Sequence, residues 1–200
     1  EVDWWEKERE FSLIGELKVM IPEILLLKAV WEHNRSLWFV TYPFHLGLYL
    51  IVAFLGLLVF GAIAQLSGFS LSEGGPLLKA VAALTNLVGP IAFILSVIGS
   101  AGLIYKRITD PGLRNYTTFE HFFNLGLFIL TIGTAIITWL FTDPTFAVSR
   151  TFIAGLISFK MTPINSSVFL LQALLAAFTL AYIPTTHMSH FFMKYFLYHD

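Results

Sequence analysis

The stretch Tyr42–Leu66, YPFHLGLYLIVAFLGLLVFGAIAQL, runs for twenty-five residues without an Asp, Glu, Lys or Arg. A helix crosses a hydrocarbon core of about 30 Å with roughly 20 apolar residues, so this run predicts a membrane span. Three further runs meet the same test: Ala80–Tyr105, Phe119–Phe141, which has Glu120 at its polar edge, and Ser166–Phe192. In lipid the backbone must satisfy its own hydrogen bonds, which leaves helices or a closed barrel. The strict alternation of a barrel strand is absent. The expected fold is therefore an all-α membrane protein with four transmembrane helices, residues 42–200 forming one bundle and residues 1–41 an interfacial lead-in.

Composition agrees: 56% of residues are hydrophobic, 12% are charged, and the net charge is −1. That balance leaves no basic face for nucleic acid. With no cysteine, the chain can form no disulfide, no thiolate zinc site and no iron–sulfur cluster of its own. The sequence opens on Glu1 with a charged stretch, not the apolar core of a cleavable leader. Segment 1–39 mixes charges with Trp4, Trp5, Leu25, Leu26, Leu27, Val30, Trp31 and Trp38, a pattern expected of an amphipathic helix at the membrane surface.

Orientation follows from the basic residues. Lys7, Arg9, Lys18, Lys28, Arg35, Lys106, Arg107, Arg114 and Lys194 fall on one side; only Lys79, Arg150 and Lys160 fall on the other. Both termini are expected in the cytoplasm, in a multi-pass protein of the cell's inner membrane. The connection Thr142–Asn165 then lies outside as a long loop, with Asp143-Pro144 opening a turn.

Ligand-capable side chains within spans are costly in lipid and mark functional sites. His45 sits near the start of the first span, and His187 and His190 near the end of the fourth. Antiparallel packing puts all three near one depth, as bis-imidazole ligation of a b-type haem requires. The competing interpretation is interfacial histidines bonded to headgroups or carbonyls. His187 and His190, three residues apart, share one helix face, so the spacing leaves both open. His121 suits a helix cap or a propionate neighbour; His33 and His199 lie in polar segments. No pair of Glu-x-x-His motifs supports a di-iron site, and no His-Glu-x-x-His supports zinc.

Three motifs resemble the respiratory nitrate reductase gamma-subunit family of membrane cytochromes b. The resemblance is closest to its heterodisulfide reductase and menaquinol-oxidising branch. The first is Tyr42-Pro43-Phe44-His45-Leu46-Gly47, similar to the opening of that family's haem-binding helix. The second runs from Ile98-Gly99 through Tyr105-Lys106-Arg107-Ile108-Thr109-Asp110-Pro111 to Tyr116-Thr117-Thr118. The third is Ile183-Pro184 followed six residues later by His190. Glu23–Trp38 also resembles the lead-in of the heterodisulfide reductase branch. The resemblance spans Trp38 to Phe192 and implies His45 and His190 as axial ligands, with His187 in reserve. The family usually has five spans, which implies a helix before Glu1. A second haem would need histidines where this chain has Leu55 and Gln172, so the resemblance implies one haem, on the cytoplasmic side.

The remaining polar residues complete the expectation. Arg107, Arg114 and Arg35 are candidates to pair with haem propionates, or are ordinary positive-inside charge. Gln65, Asn86, Gln172 and Lys79 occupy the opposite half. Helix–helix hydrogen bonding accounts for buried amides there, while the resemblance raises a quinone site at Gln172, Asn86 and Lys79. Asn124 lies on the haem side, and Pro90 and Pro184 are expected to kink their helices. The functional expectation is a cytochrome b subunit relaying electrons between a quinone, such as menaquinone, and a cytoplasmic iron–sulfur partner. The competing class is a non-redox membrane anchor or assembly subunit with structural histidines. A transporter is disfavoured by the lack of inverted repeats.

Overall fold

The computed structural model describes residues 13–71 and 74–186. Among these residues there is no strand, and eight α-helices follow one another. They are α1 (Leu13–Leu26), α2 (Lys28–His33), α3 (Arg35–Leu66), α4 (Pro76–Thr109), α5 (Pro111–Arg114), α6 (Phe119–Phe141), α7 (Ala147–Ser158) and α8 (Ser167–Tyr182); the last is extended by a 3-10 turn, Ile183–Thr185. Four of them are long and apolar enough to cross a membrane: α3, α4, α6 and α8 with its extension.

Local chemistry sets the boundaries more tightly than hydropathy does. The first spanning helix begins at Arg35, not Tyr42, because Asn34 caps it by accepting from the Leu37 N–H at 3.0 Å. Pro43 is carried inside. The second begins with Pro76 at its first position and stops at Thr109, before Asp110-Pro111. The expected amphipathic lead-in divides into α1 and α2 at Leu27, whose φ is 52°.

Two expectations need correction. The connection 142–165 is not all loop, since it contains α7. The Asp143 carboxylate is buried and accepts from the Val148 N–H (3.0 Å), the Ser149 N–H (2.7 Å) and the Ser149 hydroxyl (2.7 Å). It thus occupies donors that a helix start leaves without partners. The chain reaches this geometry through a left-handed Phe146, a conformation costing about 1–3 kcal/mol. The Phe146 ring is offset by burial against Phe54 and Phe93, at 4.8 and 6.2 Å. The second correction concerns the fourth span. Its α-helix ends at Tyr182 and gives way to the 3-10 turn Ile183–Thr185, because Pro184 has no N–H to give and crowds the preceding turn; the expected stretch from His187 to Phe192 lies outside the described residues. Thr186 is extended.

α3 and α4 form the centre of the bundle. Ser36 meets Lys106, Val40 meets Gly102, Phe44 meets Gly99, Gly47 meets Ser96 and Phe54 meets Gly89. Each step forward on α3 is matched by a step back on α4, which is an antiparallel register. A methyl group on Gly99 would collide with the Phe44 backbone, and one on Gly47 with Ser96. Small residues let membrane helices approach closely enough for dispersion to hold them. α6 packs on α4, α7 on α3, and α8 principally on α6. The shared core comprises Phe44, Phe54, Leu58, Phe93, Leu125, Phe128, Ile132, Ala135 and Phe146.

This packing predicts that Gly99→Val destabilises the bundle by about 1–3 kcal/mol, measured by denaturant unfolding in detergent. Gly56 has open space around it, so Gly56→Ala is expected to be neutral or slightly stabilising.

Candidate functional site

The end of the bundle formed by the start of α3 and the end of α4 holds the histidine singled out by sequence. His45 lies ten residues beyond Arg35, about 15 Å along α3. Its Nδ1 is 2.9 Å from the Thr41 carbonyl oxygen. A carbonyl only accepts, so Nδ1 carries a proton in this hydrogen bond. Ligating histidines are commonly oriented by this kind of bond. The ring is half-buried beside Phe44 and Tyr49, with centroids 5.4 and 6.5 Å away.

The same stripe of α3 carries Trp38, Tyr42 and Tyr49, and α1 is tied to it. Tyr49 donates to the Ile24 carbonyl at 2.7 Å and Trp38 to the Leu26 carbonyl at 2.8 Å. Trp38 stacks on Tyr42 at 4.5 Å. The C-terminal end of α1 is thus hydrogen-bonded to residues on either side of His45 along that stripe.

Across the bundle, Phe44 meets Phe128 of α6 at 5.5 Å, and one turn earlier on α6 lies the buried Asn124. Its Oδ1 accepts from the Tyr182 hydroxyl at 3.0 Å, but its Nδ2 has no partner. Two other buried polar atoms share that condition: Thr41 Oγ1, one turn before His45, and Ser96 Oγ, opposite Gly47. All three come from residues near the depth of His45. Buried polar atoms are ordinarily paired, so this end of the bundle has hydrogen-bonding capacity that the described residues do not use.

The other predicted residues at this end divide by role. Arg107 is half-buried and its Nη1 donates to Thr117 Oγ1 at 3.3 Å; Arg114 is exposed on α5. Arg35 lies over the Trp31 ring at 4.9 Å. His121 accepts from the Thr118 N–H at 3.1 Å, closing a capping box at the start of α6. His187, His190 and His199 lie outside the described residues. Among the described residues, no group of three or more His, Cys, Asp or Glu is placed to hold a metal ion.

At the opposite end, Gln172, Asn86 and Lys79 are not brought into one cavity. Gln172 accepts from Thr134 between α6 and α8. Asn86 lines a groove of about 720 Å³ between α3, α4 and α7, together with Gln65, Arg150 and Thr151. Lys79 is exposed and does not line that groove.

The helix–helix hydrogen bonding expected of Gln172 is present, to Thr134, but sequence reasoning missed the rest of the polar seam joining α8 to α6: Tyr182 to Asn124 and Thr179 to Thr131 at 2.8 Å. Its signal was the spacing of Thr131, Thr134 and Thr138 along one side of α6. Only 11% of the apolar window of α8 is buried, against 39% for α6, so these bonds carry much of its attachment. Tyr182→Phe is expected to cost about 0.6–2 kcal/mol, seen as faster hydrogen exchange in α8 than in α3. Equal exchange in wild type and variant would show that apolar packing alone holds α8.

No protein-family model, no curated protein and no solved structure matches this chain.

Proposed function

We propose that this chain is a cytochrome b membrane subunit that relays electrons between a membrane quinone and a cytoplasmic iron–sulfur partner. The observation that supports it is the His45 ring, oriented by the Thr41 carbonyl within a spanning helix, at a depth where three buried polar atoms lack partners. Haem b, when bound, supplies a one-electron relay between the two-electron quinone couple and single-electron clusters. His45 would hold the haem iron from α3. His190 is the second ligand by motif resemblance, with His187 in reserve. Arg107 and Arg114 provide cationic charge for propionates at the membrane face. Thr41, through its carbonyl, orients the His45 ring, and Asn124 has an unpartnered amide at a similar depth.

The lack of cysteine requires the partner to carry the clusters. The basic residues Lys106, Arg107 and Arg114 and the tail form the docking side. By the positive-inside count, that side and both visible termini are cytoplasmic, in the inner membrane. The quinone belongs to the same proposal, but Gln172, Asn86 and Lys79 do not form a common site for it.

A second reading has an observation of its own. The bond from His45 to Thr41 is also what a structural histidine makes to relieve its own polarity in a helix, as His33 does with the Ala29 carbonyl. A non-redox anchor or assembly subunit then follows.

The two readings separate in a reduced-minus-oxidised spectrum and a pyridine haemochrome assay of the purified chain. The expected result is one haem b per chain, falling about tenfold or more in His45→Ala, with helix content unchanged. A purified protein free of haem, when expressed in cells that make b-type haem, overturns the redox reading. Two haems per chain overturns the single-site assignment that rests on Leu55 and Gln172.

A further inference from the structure

The groove at the end of the bundle away from His45 carries features that the electron-relay reading does not use. It is lined by Gln65, Ser70 and Leu71 from the α3 end, Ala82 and Asn86 from α4, and Arg150 and Thr151 from α7. Arg150 dominates its chemistry. The guanidinium has one hydrogen bond, Nη1 to the Thr145 carbonyl at 3.0 Å, and no carboxylate within ion-pair distance among the described residues. The stem is pressed against Gly61, where an added methyl group would collide with its Cδ. Arg150 also sits in the first turn of α7, the positive end of the helix, where a cation is unfavourable. Burial lowers its pKa from the ordinary arginine value, opposed by the charge of Asp143, yet arginine stays cationic at any working pH. The Asp143 carboxylate is spent on the α7 amides and Ser149.

Asn86, Gln65 and Thr151 line the groove beside Arg150, with the Gln65 amide donating to the Thr151 hydroxyl at 3.3 Å, and the exposed ring of Phe69 lines its edge. A planar guanidinium beside amide and hydroxyl groups is suited to phosphate. Apolar side chains at the edge of a membrane span are suited to acyl chains.

We propose that this groove binds the phosphate of an anionic phospholipid, with Arg150 as its principal ligand and Asn86 as a hydrogen-bond donor. The site is independent of the haem: it lies at the opposite end of α3 and α4 and needs no redox cofactor. It also gives α7, a short helix that does not span, a reason to be held in place at the membrane surface.

The test uses the full chain purified in neutral detergent and stripped of lipid. It is titrated with dioleoylphosphatidylglycerol, with a galactolipid of the same acyl chains, and with inorganic phosphate, and bound species are counted by native mass spectrometry. One phosphatidylglycerol per chain is expected, held about tenfold more tightly than the phosphate-free galactolipid. Arg150→Gln is expected to remove that preference and Asn86→Leu to weaken it about threefold. If Arg150→Gln fails to fold, Gly61→Ala displaces the Arg150 stem and provides a second test, with the same loss expected. Equal binding of the two lipids, or a preference unchanged in both Arg150→Gln and Gly61→Ala, overturns the proposal. Tight binding of inorganic phosphate that displaces the lipid overturns the lipid assignment, making the site one for a soluble anion.

Discussion

The close approach of α3 and α4 through Gly47 and Gly99 is the constraint from which the rest of the molecule is built. In lipid, no hydrophobic force draws two apolar helices together, because the surrounding tails are as apolar as leucine. What remains is contact between backbones, and glycine permits it where Phe44 meets Gly99 and Gly47 meets Ser96. That contact turns Phe44 toward Phe128 and the core. His45, one residue further around the helix, then lies on the stripe shared with Tyr49, to which α1 is hydrogen-bonded. The position of the candidate ligand is thus a consequence of two missing side chains.

Polar groups do the complementary work at the edge of the bundle. α8 buries little apolar area and is joined to α6 by hydroxyl and amide pairs spread along its length. Such bonds are modest individually in membranes, about 0.6 kcal/mol on average. They are directional, however, and set the register of α8 against α6. That register brings Ile183, at the turn leading toward the late histidines, against the core. The unpartnered Asn124 Nδ2 lies at the same end of the seam.

The two ends of the molecule are chemically unlike. Near His45, buried polar atoms from three helices lack partners, and Lys106 and Arg107 close the last turn of α4. At the far end, Asp143 builds α7 from a short turn, and α7 presents a guanidinium to a polar groove. The electron-relay proposal rests on the first end and the phospholipid proposal on the second.

The sequence by itself determined the four spans as helices and singled out His45 as a candidate, because hydropathy over twenty residues and the cost of a polar side chain in lipid are local properties. The turn at Asp143-Pro144 and the disruptive effect of Pro184 were legible for the same reason, although the full consequence of Pro184, an α-helix ending at Tyr182, was not. Tertiary structure alone decided that α7 exists, since its amides are capped by a carboxylate held in place by Phe146 packing on Phe54 and Phe93. It alone separated Gln172 from Asn86, because a one-dimensional depth count cannot say which helix faces which. It also placed Arg150 beside Gly61 and Asn86, residues far apart in sequence, through the packing of α7 on α3. Local composition dictates what enters the membrane; which side chains meet there depends on contacts between helices that no local pattern encodes.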